Sequence, residues 1–171
     1  KSVLSKLQVL NQTKLLALRG GKRRQVPIDQ LVEGDLVLLK AGDQIPADAK
    51  VLITYGGGSI KKNGVLDQVH AALAGRSYQE FGGIEANPHF ETLMKAVAVV
   101  KAEGIDYILA VGGGSVIDGS KFIAAAARYE GDAWEILQTY GSKIGDAVPL
   151  GTVLTLAATG SEMNNGAVIT K

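Results

Sequence analysis

Apolar residues at Val3, Leu4, Leu7 and Leu10 recur at helical spacing, so residues 1–12 predict an amphipathic helix. The pattern changes at Lys14. Two short runs, residues 15–19 and 23–26, flank Gly20-Gly21, the arrangement of a β-hairpin closed by a two-residue turn. A further strand is expected over residues 36–40, entered from a turn at Glu33-Gly34-Asp35 and left through Ala41-Gly42-Asp43. Its unbroken run Leu36-Val37-Leu38-Leu39 predicts burial on both faces. Up to about residue 49, with Pro27 and Pro46 as punctuation, the chain reads as a short-strand β unit.

Beyond that point the rhythm is strand, glycine turn, helix. Val51–Tyr55 is a short apolar strand, residues 65–73 are amphipathic and stop at Gly75, and Tyr78–Phe81 reads as a strand. Pro88 suits the first position of a helix capped by Asn87 and running to Gly104. Residues 107–111 form a strand that enters Gly112-Gly113-Gly114-Ser115, and a helix follows through Arg128. Residues 148–155, and then 167–170, supply further strands. Alternation of this kind predicts an α/β fold, a Rossmann-like parallel sheet with flanking helices, preceded by the short-strand β unit packed on it. The expected domains are residues 1–49 and 50–171.

Composition sharpens this only a little. Aromatic residues make up 5% and there are 22 glycines, which favours layered α/β architecture over a helical bundle. A net charge of +1 gives no field that would draw nucleic acid or a membrane surface. The absence of cysteine excludes disulfides and thiolate metal sites, and suits a reducing, cytoplasmic compartment. No apolar run approaches the roughly 18 residues of a spanning helix. A start at Lys1 suggests a trimmed chain or a fragment.

Three stretches carry candidate chemistry. Gly112, Gly113, Gly114 and Ser115 stand between a strand and a helix, where bare backbone lets a pyrophosphate approach the helix N-terminus. Ser115 and Asp118 have the spacing of a capping box. The loop is neither G-x-G-x-x-G nor a Walker A loop, and a tight turn before a capped helix explains it nearly as well. A second loop, Gly56-Gly57-Gly58-Ser59, precedes Lys61 and Lys62. No Asp or Glu lies between Val51 and Val65 to accept ribose hydroxyls, so the loop would welcome a phosphate; a flexible turn beside solvated lysines is at least as good a reading. The third stretch, Thr155, Thr159, Gly160, Ser161 and Glu162, follows the last long strand, at the carboxyl end where open sheets collect ligands.

Four ordered segments resemble the NADPH-dependent butanol dehydrogenase and aldehyde reductase branch of the iron-containing alcohol dehydrogenases: VLITYGGGSIKKNGVLD from Val51, FGGIEANP from Phe81, LAVGGGSVIDGSK from Leu109 and LTLAATGSEMN from Leu154. The resemblance covers residues 48–171. It implies that Gly112, Gly113, Gly114 and Ser115 cradle the pyrophosphate with Asp118 and Lys121 beside them. It likewise implies that Gly57, Gly58 and Ser59 lie near the adenosine phosphate, and Thr155 and Thr159 toward the nicotinamide. In that family one aspartate and three histidines hold the metal. Here no Asp or His follows Asp146, and the only histidines are His70 and His89, each read as a surface or helix-end residue. No catalytic residue and no metal ligand is therefore assigned.

Residues 1–52, notably QVPIDQLVEGDLVLLKAGDQIPAD from Gln25, resemble part of the actuator domain of a P-type cation-transporting ATPase. The Thr-Gly-Glu motif of that domain and the phosphorylated Asp-Lys-Thr-Gly of those pumps are absent. Together the two resemblances lead to the expectation of an engineered or shuffled chimera without evolved activity, retaining weak NADP binding and no metal. The alternatives are the cofactor-binding part of an NADP-dependent alcohol dehydrogenase or aldehyde reductase, and a regulatory module of a transporter. A homo-oligomer, segment-swapped through the first block, is the expected partner state, with no nucleic acid and no membrane.

Overall fold

The computed structural model describes residues 14–32, 35–38 and 49–171. The helix expected over 1–12, residues 33–34 of the first expected turn and the turn at 41–43 lie outside the described residues. The chain divides into two compact units, Lys1–Ala47 and Asp48–Lys171.

In the first unit, β1 (Lys14–Arg19), β2 (Lys22–Pro27) and β3 (Leu36–Leu38) form an antiparallel sheet in the order β2-β1-β3. Arg19 pairs with Lys22, which leaves Gly20 and Gly21 as the two turn residues. Their φ values of 58° and 73° are those the favoured two-residue hairpin turn demands. Alternation along β1 puts Leu15 and Ala17 on the buried face, joined by Val26 of β2. Arg19 grips Asp35 with two nitrogens, Nε to Oδ1 at 2.7 Å and Nη2 to Oδ2, and donates again to the Gln30 carbonyl at 3.2 Å. Of the run expected to be buried on both faces, Val37 and Leu38 are half-buried, while the Leu36 side chain and Leu39 lie outside the described residues. Among the described residues β3 pairs with β1 alone, at one edge of this sheet.

The second unit is a parallel sheet of β4 (Val51–Tyr55), β5 (Tyr78–Phe81), β6 (Tyr107–Gly112) and β7 (Leu150–Leu154), in the order β5-β4-β6-β7. Between the strands run α1 (Ser59–Lys62), α2 (Val65–Ala72), α3 (Phe90–Glu103), α4 (Gly114–Arg128) and α5 (Trp134–Gln138). All five residues of β4 and five of six in β6 are buried, which is why both read as continuous apolar runs. Leu52, Ile108 and Ala110 share a core with Leu93, Ala96, Val97 and Val100 of α3 and with Ile117, Phe122 and Ile123 of α4. The α/β class and the preceding antiparallel unit are thus as the sequence predicts.

Several boundaries move. Helix α3 starts at Phe90 with His89 as its N-cap, because Asn87 sits at φ 56° and an N-cap requires extended backbone. Its stop at Gly104 is as expected, with φ 61° and the amide donated to the Val100 carbonyl. Strand β7 starts two residues late, since the Val148 amide bonds to the Ala124 carbonyl of α4 at 3.0 Å instead. Of residues 167–170 only Thr170 makes a β-bridge, to His89.

Candidate functional site

The chain runs from β4 to β5 on one side and then to β6 on the other, so its direction of progress reverses between β4 and β6. At such a reversal the connections diverge and open a crevice at the carboxyl ends of the strands. Tyr55 pairs with Val111, so Gly56, just past the end of β4, stands level with Gly112, the last residue of β6. Both glycine loops therefore stand on the two strands that flank the switch point.

Helix α4 opens at Gly114 with Gly113 as its N-cap and without a side-chain cap. The expected capping box of Ser115 and Asp118 is not formed. Ser115 is already inside the first turn, and its hydroxyl accepts the Asn87 amide at 3.3 Å. The Ile117 amide is the first to close onto the helix, at the Gly113 carbonyl, so earlier amides point out of the positive end. The glycines have separate duties. A Cβ on Gly112 would fall 2.6 Å from Val116 Cγ2, and one on Gly114 would fall 2.5 Å from Thr159 Oγ1. Gly113 has more room, with Leu156 Cβ at 3.5 Å. Two of the glycines thus let the loop pack, and the third leaves its backbone approachable.

At the end of β4, Gly57 and Gly58 have no atom within 4 Å of a built Cβ, and Gly58 lies at φ 98°. Ser59 and Lys61, which follow in the single turn of α1, are exposed. Lys61 Nζ stands 4.8 Å from the centroid of the Tyr55 ring. The Tyr55 hydroxyl donates to Glu80 Oε2 at 2.9 Å, and Glu80 Oε1 lies 2.8 Å from His70 Nε2. The Tyr55 phenol, and behind it the Glu80 carboxylate, raise the Lys61 ammonium above the ordinary lysine range. Sequence reasoning missed Glu80: no acid lies near the end of β4 in the chain, but pairing of Ile53 with Glu80 brings one in from β5. Only the strand pairing could have revealed it.

The remaining candidates divide. Thr155 donates its amide to the Gly112 carbonyl at 3.0 Å, and Thr159 Oγ1 lies 2.8 Å from Ser161 Oγ beside Gly114. These two exposed threonines and Gly112, Gly113, Gly114 and Ser115 gather at one strand end, with Gly57, Gly58 and Ser59 at the end of the neighbouring strand. Asp118 and Lys121 contact residues 164–168. Asp118 Oδ2 accepts the Val168 amide at 3.0 Å, and Lys121 Nζ donates to Asn164 Oδ1 at 3.0 Å and to the Gly166 carbonyl at 2.7 Å. Both hold residues 164–168 against α4.

A parallel α/β sheet with glycine loops on both strands of its switch point defines the architectural class from which dinucleotide-binding domains are drawn. The chain belongs to the iron-containing alcohol dehydrogenase family, whose model matches residues 29–171. It is 63% identical over 131 residues to the NADPH-dependent aldehyde reductase YqhD of Escherichia coli (strain K12), covering 75% of this chain and 34% of that protein. It is 57% identical over 127 residues to the probable NADH-dependent butanol dehydrogenase 1 of Bacillus subtilis (strain 168), covering 73% and 33%. The crystal structure of E. coli K-12 YqhD superposes with a TM-score of 0.73 at 64% identity, over 75% of this chain and 33% of that one. That of the NADH-dependent butanol dehydrogenase A of Thermotoga maritima gives 0.68 at 49%, over 71% and 31%. The chain thus spans about a third of the length of these relatives.

The family match begins at residue 29, inside the block expected to be actuator-like, and its span includes the boundary expected at residues 49–50. From residue 29 onward the chain is accordingly assigned to the dehydrogenase family. The iron in the family's name finds no ligand set among the described residues, where no three His, Cys, Asp or Glu side chains converge. His70 is engaged with Glu80, and His89 is exposed at the start of α3. Among the described residues no helix is long and apolar enough to cross a membrane.

Proposed function

We propose that this chain is the cofactor-binding part of an NADP-dependent alcohol dehydrogenase or aldehyde reductase, and that its own activity is to hold the dinucleotide. One observation carries the reading: two glycine loops, level with each other, on the two strands that flank the switch point of a parallel sheet. In it, the α4 N-terminus at Gly113-Gly114-Ser115 takes the pyrophosphate with backbone amides, which needs no cationic side chain. Gly57, Gly58 and Ser59 take the adenosine end, where open space and a nearby ammonium favour a 2′-phosphate. Thr155 and Thr159, at the end of β7, line the approach for the nicotinamide. The cofactor, once bound, supplies the hydride. The named cofactors of the relatives, NADPH in one and NADH in another, support a dinucleotide and leave the preference to be read from this chain's residues.

The test is a titration of the chain with NADP and with NAD, followed by amide NMR. We expect both to perturb Gly113, Gly114 and Ser115, with NADP binding more tightly and alone moving Gly58, Ser59 and Lys61. Absence of any shift at the α4 N-terminus would overturn the proposal. Equal affinity for the two cofactors would overturn the preference only.

A further inference from the structure

Beside the loop at the end of β4 lies a chain of contacts that the cofactor reading does not explain. Lys61 Nζ rides over the Tyr55 ring, 4.8 Å from its centroid. The Tyr55 hydroxyl donates to Glu80 Oε2 at 2.9 Å, and Glu80 Oε1 meets His70 Nε2 at 2.8 Å. The His70 ring stacks on Tyr78 with centroids 5.1 Å apart. The Tyr55 ring is wedged as well, since any Cβ on Gly82 would collide with it. Every member of this series is fixed by the next, and the free end of the series is an ammonium.

The physics gives the series a direction. A phenol that donates to a carboxylate is more electron-rich than a free one, so its face holds a cation more firmly. Glu80 contacts His70 and Tyr55 directly and reaches Lys61 through the Tyr55 ring. A lysine on a one-turn exposed helix would otherwise sample many rotamers, and ordering it on binding costs affinity.

We infer that Glu80 is a specificity-determining positioning residue: through Tyr55 it holds the Lys61 ammonium at the rim of the Gly56-Gly57-Gly58 loop, where it selects an adenosine ribose bearing a phosphate over one bearing a hydroxyl. The inference rests on the reading that this loop takes the adenosine end of a dinucleotide. It also runs against simple electrostatics, in which a carboxylate near the site should repel a phosphate, and the two accounts predict opposite effects for the same substitution.

The experiment titrates the chain with adenosine 2′,5′-bisphosphate and with adenosine 5′-monophosphate by amide NMR, in the wild type and in Glu80→Gln, Tyr55→Phe, the double variant and Lys61→Ala. Glu80→Gln keeps an acceptor for Tyr55 and removes the charge; Tyr55→Phe keeps the ring and removes the link. Each should lose about two- to fivefold in affinity for the bisphosphate, the amount an exposed cation–π contact commands. The double variant should lose no more than either alone, because both cut the same link. Lys61→Ala should lose about tenfold or more, the scale of a charge-assisted hydrogen bond. Affinity for the monophosphate should stay unchanged throughout, which a merely structural defect would not allow. Tighter or unaltered bisphosphate binding in Glu80→Gln, or parallel losses for both nucleotides, overturns the inference while leaving the cofactor reading intact. If the wild type binds neither nucleotide, the cofactor reading itself fails and the inference falls with it.

Discussion

The hydroxyls of Thr54 and Ser120 lie 2.6 Å apart in the core and tie β4 to α4. Both residues are fully buried. Ser120 donates to the Val116 carbonyl at 2.7 Å, so its oxygen must accept the proton of Thr54, whose other acceptor, the Leu109 carbonyl, is at 3.5 Å. The pair thus fixes the strand that ends in one glycine loop against the helix that begins at the other. The two residues are not equivalent. Ser120→Ala strands a buried hydroxyl donor and should cost about 1–3 kcal/mol. Thr54→Val leaves Ser120 bonded to Val116 and should cost less, about 1 kcal/mol. Urea unfolding of the two variants should reproduce that order, and a costlier Thr54→Val would show that the proton runs the other way.

The two adjacent glycines of the β4 loop separate folding from binding. Gly58 at φ 98° occupies backbone space that side-chain-bearing residues avoid, so Gly58→Ala should destabilise by about 1–2 kcal/mol. A Cβ at Gly57 meets nothing within 4 Å and carries no such strain. Gly57→Val should therefore leave the melting temperature within a degree or two, on the order expected for a surface change, and still weaken nucleotide binding by filling the approach. Unchanged binding in Gly57→Val would remove this loop from the site.

Asp35 predicts a pH dependence confined to the first unit. Arg19, and then the Val32 amide, lower its carboxyl from the usual 3.8 to about 2. A carboxyl depressed on folding stabilises the fold above its unfolded pKa, and that stabilisation is lost as pH falls through the folded value. Between pH 4 and 2 the β1–β3 pairing, Leu16 with Leu38 and Ala17 with Val37, should therefore exchange its amides progressively faster. In Asp35→Asn the same amides should start from a higher rate at neutral pH and change little across that window. A wild type and variant that respond to acid in parallel would rule out the Arg19–Asp35 pair as the cause.

What was legible in the sequence follows from what is local. The hairpin at Gly20-Gly21, the buried runs of β4 and β6 and the Gly104 stop are set by neighbours in the chain, and their patterns survive into the structure. The partners of side chains were less legible. Asp118 looks like half of a capping box until the helix is seen to start at Gly114, which moves Ser115 inside it and leaves the carboxylate for Val168, fifty residues away. Glu80 becomes relevant to the end of β4 only through parallel pairing, which no local pattern encodes. Asn87 beside Pro88 suggests a helix start on propensity, but its left-handed backbone moves the cap to His89.

Lys121 offers the sharpest separation of a structural role from a cofactor role. Its ammonium donates to Asn164 Oδ1 and the Gly166 carbonyl and stands 3.7 Å from Asp118 Oδ1, with little of the side chain exposed. Asn164 in turn donates to the Gly160 carbonyl at 3.0 Å and accepts the Gly166 amide at 3.0 Å, so one lysine organises a loop that has little regular structure of its own. That loop begins at Gly160, next to Thr159, whose hydroxyl sits against Gly114. Removing the ammonium should loosen residues 160–168 first and disturb the α4 N-terminus only through Thr159. In Lys121→Ala we expect the amides of Gly166 and Val168 to exchange at least about tenfold faster, the change that losing about 1.4 kcal/mol of local stability brings. Asp118→Ala should release Val168 and leave Gly166 protected, since Gly166 is held by Asn164 and Lys121. If either substitution left exchange in this loop untouched and weakened dinucleotide binding alone, the lysine and aspartate would belong to the cofactor, and the contacts to residues 164–168 would be secondary.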